Sequence, residues 1–348
     1  MVAMVTMVAM IDEPDHDGGI IAGLTLPSQR KSLLPLNGTR VLTDKEKEEK
    51  KKKMLKILRD ELFFSYHVGR CPDEYRFLLT EHVFTTCQQR EQIMGLFFEE
   101  FKTLGLMFVP QEFLALISSG HTSGIVINMS NTYTSIVPIW NLNILRNKAV
   151  VLQVGGQDVT RALELLLKQR RADQVYRTSD FDPLVVEDIK EKRGYVALDY
   201  EVEMSKPAAL STEYELPDCQ VINLGRELFQ CTECLFQPHL FGIKNTQGLI
   251  GSVNQLIDTL NGQIKQDIVA QSVFLTGSSS MFPGLVERLR AGIAEKHSAV
   301  NVVAPPERKM SAWMGGSIWA ELSVSKNLWT TKEEFDAYGP DVVHSKCF

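Results

Sequence analysis

The chain has 348 residues, of which 44% are hydrophobic, 23% charged and 8% aromatic, a profile typical of a globular protein with two domains or two lobes. The formal charge of −6 argues against a general electrostatic grip on nucleic acid or on an anionic membrane. Six cysteines without a regular framework indicate a reducing compartment.

The N-terminal region begins with an apolar run, Met1–Ile11, which is too short for a membrane helix and lacks the basic leader of a signal peptide. It predicts a buried first strand. A loop rich in turn formers follows, and then a lysine-rich run, Asp44–Lys53. Because Met54, Ile57 and Leu58 continue at helical spacing, this run is interpreted as the solvated start of an amphipathic helix. A nuclear localisation signal is the alternative.

Strand and helix patterns alternate from Glu74 onward, which predicts an α/β protein with mixed sheets. Alternating apolar residues over Ser118–Trp140 predict a β-hairpin with a polar tip at Met129–Thr132. Val185–Met204 and Thr246–Ile264 are each predicted to form a helix.

Two local motifs are weak when taken alone. Thr276–Leu289 has the pattern of a strand, a small-residue turn and a helix, which suits either a ligand contact or simple packing. Cys231 and Cys234 have metal-type spacing, but Cys219 is the only other cysteine in that region, which argues against a zinc or redox site. Further chemistry does not follow from these patterns.

Several long segments resemble actin in sequence, spacing and order. They are Glu187–Met204, Tyr214–Cys231, Ala304–Ser323 and Trp329–Phe348, and the resemblance extends from about Met54 to the end. It implies an α/β actin-like fold with two lobes, each built on a five-stranded mixed sheet with flanking helices.

The resemblance also implies a division of the chain. In actins a small second subdomain contains the loop that grips the next protomer in the filament, and here it is largely missing around residues 24–53. The expected parts are an outer lobe (1–118 and 311–348), a third subdomain (119–154 and 244–310) and a fourth (155–243).

The adenosine side of the family's nucleotide site is mostly retained. Ser278 stands where actins have a second glycine, and its side chain is expected to crowd a bound nucleoside. The matching positions are Lys190, Glu191, Gly277, Ser278, Met281, Phe282 and Lys309.

The second phosphate hairpin of the family is altered in this chain. Asn128 and Asn131 replace two aspartates, so the charge that organises hydrated magnesium is lost. Ser130 and Thr132 replace two glycines of the tight turn that aims backbone N–H groups at phosphate. Gln111 remains at the position that orients the attacking water, but it is expected to be vestigial.

The first phosphate loop keeps Asp12 and the pair Gly18 and Gly19 but lacks the phosphate-contacting lysine. Asp15 and Asp17 add negative charge that repels a triphosphate. ATP or ADP is therefore expected to bind weakly at most, and bound magnesium is doubtful.

Three functions remain open. The first is a non-hydrolysing, actin-like structural subunit of a cytoplasmic, cytoskeletal complex of the dynactin type, which caps or docks on an actin-like filament through its barbed-end face and binds neither nucleic acid nor membrane. The second is a conventional polymerising actin that hydrolyses ATP. The third is a nuclear actin-related subunit of a chromatin-remodelling complex.

Overall fold

The computed structural model describes residues 7–11, 20–25, 73, 75–173, 182–206, 212–244 and 246–347. Several sequence predictions lie outside these residues: the lysine-rich run, the predicted truncation over most of 24–53, and Asp12, Gly18 and Gly19 of the first phosphate loop. Among the described residues, no helix is both long enough and apolar enough to cross a membrane.

The strands fall where apolar and β-branched residues cluster in the sequence. In chain order they are β1 (Met7–Ile11), β2 (Ile20–Thr25), β3 (Arg76–Glu81), β4 (Gly105–Pro110), β5 (Gly124–Met129), β6 (Thr134–Trp140), β7 (Asn143–Ile144), β8 (Val150–Leu152), β9 (Thr212–Glu215), β10 (Val221–Leu224), β11 (Val273–Thr276), β12 (Val302–Val303) and β13 (Thr330–Thr331).

The α-helices alternate with these strands, as the mixed pattern predicted. They are α1 (Cys87–Gly95), α2 (Gln111–Ser118), α3 (Gly156–Asp173), α4 (Pro183–Arg193), α5 (Tyr200–Ser205), α6 (Glu227–Gln230), α7 (Leu249–Thr259), α8 (Gly262–Gln271), α9 (Leu285–Ala294), α10 (Ser311–Glu321) and α11 (Lys332–Tyr338). A π-helical turn, Leu96–Glu100, follows α1, and short 3₁₀ helices include Cys231–Leu235, Ser278–Ser280, Arg308–Met310 and Pro340–Ser345.

The chain divides into two compact units. The first unit comprises Met1–Gly120 and Ser311–Phe348, and the second comprises His121–Met310. Within the first unit, a five-stranded sheet has the order β13-β4-β3-β1-β2, and β3 pairs in parallel with β4. Both of these strands are almost completely buried, as expected for parallel strands in the middle of a sheet.

The sheet of the second unit has six strands rather than the predicted five. Its order is β12-β11-β5-β6-β7, and β8 also pairs with β6. β7 pairs with Ile139 and Trp140, whereas β8 pairs with Thr134, Ser135 and Ile136. The two short strands therefore share one edge of β6, and the sheet remains five strands wide.

Two predicted helices are each divided in the structure. Val185–Met204 contains the end of α4 at Gly194 and the start of α5, where the Asp199 carboxylate accepts a hydrogen bond from the Val202 N–H at 3.0 Å. Thr246–Ile264 is divided between α7 and α8 at Leu260 and Asn261, which are both extended. The apolar periodicity was correct, but it did not reveal the caps that interrupt it.

The hairpin is confirmed, but its start and its tip differ from the prediction: Ser118 ends α2, and β5 begins only at Gly124. Met129 belongs to β5, where it pairs with Thr134 and is completely buried in the core of the second unit. The loop therefore consists of residues 130–133, one position later than predicted.

A buried ion pair in the first unit joins α1 to β3. The Arg90 guanidinium donates two hydrogen bonds of 2.6 Å to the Glu81 carboxylate, and the two side chains are only 8% and 3% exposed. Replacing Arg90 by Met removes both of these charge-assisted hydrogen bonds from the buried Glu81 carboxylate.

We expect Arg90→Met to lower the free energy of unfolding of the first unit by about 3–5 kcal/mol. The matched control is Arg161→Met, because Arg161 is 62% exposed and its ion pair with Asp158 lies at the surface. That change should cost less than about 1 kcal/mol. Urea unfolding measures both, followed by hydrogen exchange in peptides from α1 and β3 for Arg90→Met and from α3 for Arg161→Met. Equal losses for the two variants would show that the buried pair has no special role.

Candidate functional site

The candidate site lies at one edge of the sheet of the second unit. β5 and β11 pair in parallel, with Asn128 opposite Thr276 at their carboxyl ends. The hairpin loop 130–133 follows β5 directly, and the small-residue turn at Gly277 follows β11 directly. Loops at the carboxyl ends of neighbouring parallel strands are the usual place for a ligand in an α/β sheet. The structure thus brings together two motifs that are almost 150 residues apart in the sequence.

The side chain of Ser130 closes the hairpin loop. The Ser130 hydroxyl donates a hydrogen bond of 2.7 Å to the Tyr133 carbonyl and accepts one of 3.2 Å from the Tyr133 N–H. The Ser130 N–H also donates to the Tyr133 carbonyl, at 3.0 Å. A phosphate-binding loop needs N–H groups that point at the ligand. Here the Ser130 hydroxyl, at a position where the resemblance places a glycine, already accepts a hydrogen bond from the Tyr133 N–H.

The first turn of α3 is bonded to the same loop. The Gly156 and Gln157 N–H groups donate to the carbonyls of Ser130 and Asn131, at 3.1 and 2.7 Å. The preceding Gly155 N–H donates to the Asp158 carboxylate at 2.9 Å. These are the N–H groups that make a helix N-terminus attractive to anions. Since each has a protein acceptor, this helix start offers little to a phosphate.

The turn after β11 is held against the hairpin. Gly277 has a φ of +95°, and a Cβ at this position would lie 2.3 Å from the Met129 carbonyl, so only glycine fits. The Ser279 hydroxyl donates to the Ser130 carbonyl at 3.0 Å. Arg308 fixes the other side of the turn, because its guanidinium donates twice to the Ser280 carbonyl, at 3.2 and 3.0 Å.

Several residues predicted for the adenosine side surround this turn. Phe282 is buried and lies against Gly194 at the end of α4, where a Cβ would be 3.1 Å from its ring. Lys309 belongs to the short helix that Arg308 docks on the turn, and its side chain is exposed. Of the remaining residues, Glu191, Ser278 and Met281 are exposed.

Lys190 occupies an interior position. It is only 5% exposed, and its Nζ atom donates to the Thr160 hydroxyl at 3.1 Å and lies 3.6 Å from a Glu187 carboxylate oxygen. The Lys190 ammonium therefore already has a hydrogen-bond acceptor on α3 and a carboxylate on its own helix, α4. A nucleoside contact from this lysine would have to compete with these two partners.

The residues of the hairpin do not fit a magnesium–phosphate group. A Cβ built on Gly277 would lie only 2.8 Å from the Asn128 amide oxygen, and one built on Gly156 would lie 3.1 Å from the Asn131 amide oxygen. Both amides therefore pack against glycine backbone. Amides bring no negative charge to a cation. Among the residues that the structure describes, no group of three His, Cys, Asp or Glu side chains converges at this edge of the sheet.

Gln111 lies in the other unit. It is the first residue of α2, directly after β4, and it is buried. The structure thus places Gln111 at the carboxyl end of a central strand of its own sheet.

Sequence reasoning did not identify four residues that shape the site, namely Ser279, Arg308, Gly156 and Thr160. A Gly155–Gly156 pair directly before a helical pattern was the one available signal, since such pairs allow close approach of backbone. A Cβ on Gly156 would lie 2.4 Å from the Ser279 hydroxyl. The other three act through contacts across the fold, which spacing in the sequence does not reveal.

The Cys231–Cys234 motif is buried away from solvent. Burial raises the pKa of the Cys231 thiol to about 12 and the pKa of the Cys234 thiol well above its usual value. Reactive and metal-binding cysteines act as thiolates. Both cysteines are therefore packing residues of the core in this structure.

Comparison with known families agrees with the fold and with the sequence resemblance. The model of the actin family matches residues 48–348. The match covers most of the chain, and it begins six residues before Met54, inside the lysine-rich run. The chain belongs to the actin family, and its mixed α/β architecture is that of an actin-like fold.

We expect Ser130→Ala to open the hairpin loop without unfolding the sheet. Loss of the hydrogen bond to the Tyr133 N–H, with a net value of about 0.5–1.5 kcal/mol, should speed exchange of this amide roughly two- to tenfold. Hydrogen exchange of a peptide covering 128–135 measures the rate. Ser205→Ala is the control, because the Ser205 hydroxyl likewise donates to a carbonyl three residues away in the sequence, that of Val202, and this change should leave exchange in 128–135 unaltered. An unchanged rate in Ser130→Ala would contradict the closed loop.

Proposed function

We propose that this member of the actin family is a structural subunit that does not hydrolyse ATP. In this proposal it works in the cytoplasm, in a cytoskeletal complex, and joins other actin-like or cytoskeletal subunits. It contacts neither nucleic acid nor membrane directly. The observation that carries the proposal is the hairpin loop that Ser130 closes on Tyr133.

The proposed loss of ATP hydrolysis is supported by the backbone N–H groups at the site, which already donate to acceptors within the protein. Phosphoryl transfer depends on donors and cations that position the phosphates and neutralise their charge. Six N–H groups at the carboxyl edge of the sheet already have acceptors in the protein. They belong to Ser130, Tyr133, Gly155, Gly156, Gln157 and Gly277.

Charge at the site supports the same conclusion. Asn128 and Asn131 supply no carboxylate to a magnesium ion or to its water shell, and both amides are packed against glycine backbone. A restored triphosphate site would therefore need both a new loop conformation and new charges. Gln111 alone supplies neither.

The residues predicted to contact adenosine support, at most, weak binding of the nucleoside portion of a nucleotide. Met281 and Lys309 expose their side chains beside the turn, but Lys190 is committed to Thr160 and Glu187. Contacts from such a partial pocket do not distinguish ATP from adenosine.

The first unit supports a role in assembly through its exposed apolar side chains. Val324 is 68% exposed, Tyr338 74% and Ile318 45%, and all three lie in the C-terminal part of the first unit. Single exposed apolar side chains are common at protein surfaces, whereas a contiguous exposed apolar patch marks a contact region, and we propose that these three side chains contribute to one. The resemblance assigns this segment to the barbed-end face.

We expect ATP, ADP and adenosine to bind with similar, weak affinities that differ by less than about tenfold, with or without magnesium, because the backbone donors of the described hairpin, helix start and turn already have acceptors in the protein. Isothermal titration calorimetry measures the affinities, and phosphate release is recorded on the same samples. A conventional actin run in parallel is the positive control. A strong preference for Mg-ATP, or phosphate release that Gln111→Ala abolishes, would refute the proposal in favour of a conventional actin.

We also expect the pure protein to remain in the supernatant under salt conditions that polymerise actin, since head-to-tail assembly needs two complementary faces. It should sediment only when short preformed actin filaments are added. Tyr338→Ala should reduce this co-sedimentation several-fold. Leu240→Ala is the matched control, because Leu240 is 50% exposed in the other unit.

Two outcomes would contradict this prediction. Filaments of the pure protein in the pellet would show that both faces are functional. Equal co-sedimentation of the Tyr338→Ala variant and the wild type would show that the C-terminal segment is not the contact.

A further inference from the structure

Three potential metal ligands converge on the surface of the first unit, far in sequence from the candidate nucleotide residues. They are Glu91 on α1 and Asp341 and His344 on the 3₁₀ helix Pro340–Ser345, and one ligand atom from each lies within 4.8 Å of the other two. The His344 Nε2 atom is 2.7 Å from a Glu91 carboxylate oxygen. We refer to these three residues as the C-terminal triad.

Local geometry explains why the C-terminal triad forms. In a 3₁₀ helix, side chains three positions apart lie directly above one another, so Asp341 and His344 share a face. Val343, on the same short helix, is only 1% exposed and belongs to the core cluster that includes Ile93 and Met94 of α1. This packing turns the shared face toward Glu91.

The scaffold under the C-terminal triad is firmly held. The Lys346 ammonium donates to both oxygens of Glu334, at 2.6 and 2.7 Å, and to the Trp329 carbonyl at 2.7 Å. Phe335, which neighbours Glu334 on α11, stacks on Phe98 with ring centroids 4.8 Å apart. Ligands that stand on packed elements are better positioned for a metal than ligands on loose loops.

The donor set suits a divalent cation of intermediate softness. Imidazole nitrogen and carboxylate oxygen are both zinc ligand types, and three protein ligands leave a fourth position open. At zinc–ligand distances of about 2.0–2.2 Å, tetrahedral ligand atoms stand about 3.3 Å apart. Small side-chain rotations are enough to reach this spacing from the present one. The His344 and Glu91 side chains are 32% and 31% exposed, so an ion can reach them.

We propose that the C-terminal triad binds a zinc-type divalent cation that ties the C-terminal 3₁₀ helix to α1. The ion takes the place of the hydrogen atom between His344 and Glu91 and adds Asp341 as a third ligand. Two carboxylates that face each other at one imidazole gain more from a doubly charged ion than from a single proton. The site does not depend on nucleotide binding or on the proposed function.

Calorimetric titration of the full chain with zinc chloride tests this proposal. We expect one equivalent of zinc to bind, with affinity reduced at least about tenfold in Asp341→Asn and in His344→Ala. Asp341→Asn is the more informative variant, because the carboxylate-to-amide change keeps the side-chain shape and the His344–Glu91 pair. Its melting temperature without zinc should equal that of the wild type, whereas the zinc-induced rise in melting temperature should be lost.

Two controls separate the C-terminal triad from other zinc ligands. His239→Ala removes an exposed histidine of the other unit and should leave the affinity unchanged. A Cys87→Ser/Cys347→Ser double variant removes the thiols carried by α1 and by the residue after Lys346, and it should also bind zinc normally. Equal zinc affinity in Asp341→Asn and wild type, or loss of binding in the double cysteine variant alone, would overturn the proposal.

Discussion

The parallel pairing of β5 with β11 determines the geometry of the candidate nucleotide site. With Asn128 opposite Thr276, the hairpin loop and the Gly277 turn leave the sheet at the same edge. The Ser130 carbonyl then accepts hydrogen bonds from both the Gly156 N–H and the Ser279 hydroxyl, so one oxygen atom joins the hairpin, the start of α3 and the turn. The Gly156 N–H and the Ser130 carbonyl therefore hold the hairpin, α3 and the turn together instead of facing a ligand.

This arrangement is the basis of our proposal that the chain has lost the phosphate site of its family. A glycine at position 130 has no hydroxyl, and the Tyr133 N–H would then need another acceptor. Ser130 supplies that acceptor from within the loop. Under the proposed function, the Tyr133 N–H is then not offered to a phosphate. Our proposal of a non-hydrolysing subunit depends on this closure together with the missing charge at Asn128 and Asn131.

The sequence was most informative where the fold is local. Alternating apolar residues identified β5 and β6, and the long actin-like segments identified the family, because both kinds of signal are continuous in the chain. It was least informative where a cap or a distant contact decides the structure. Gly194 and Asp199 interrupt a helical pattern, the Lys190–Thr160 bond joins two helices, and β7 and β8 share one edge of β6. The C-terminal triad was missed for the same reason, since Glu91 and His344 are 253 positions apart.

The most direct test of the central claim is hydrogen exchange in the segment 128–135 of the wild-type chain, measured with and without saturating Mg-ATP. If the loop donors are already bonded within the protein, protection of the Ser130 and Tyr133 amides should be the same in both conditions. A marked gain of protection with Mg-ATP, absent with adenosine, would mean that the loop opens and cradles phosphate, and it would contradict the account.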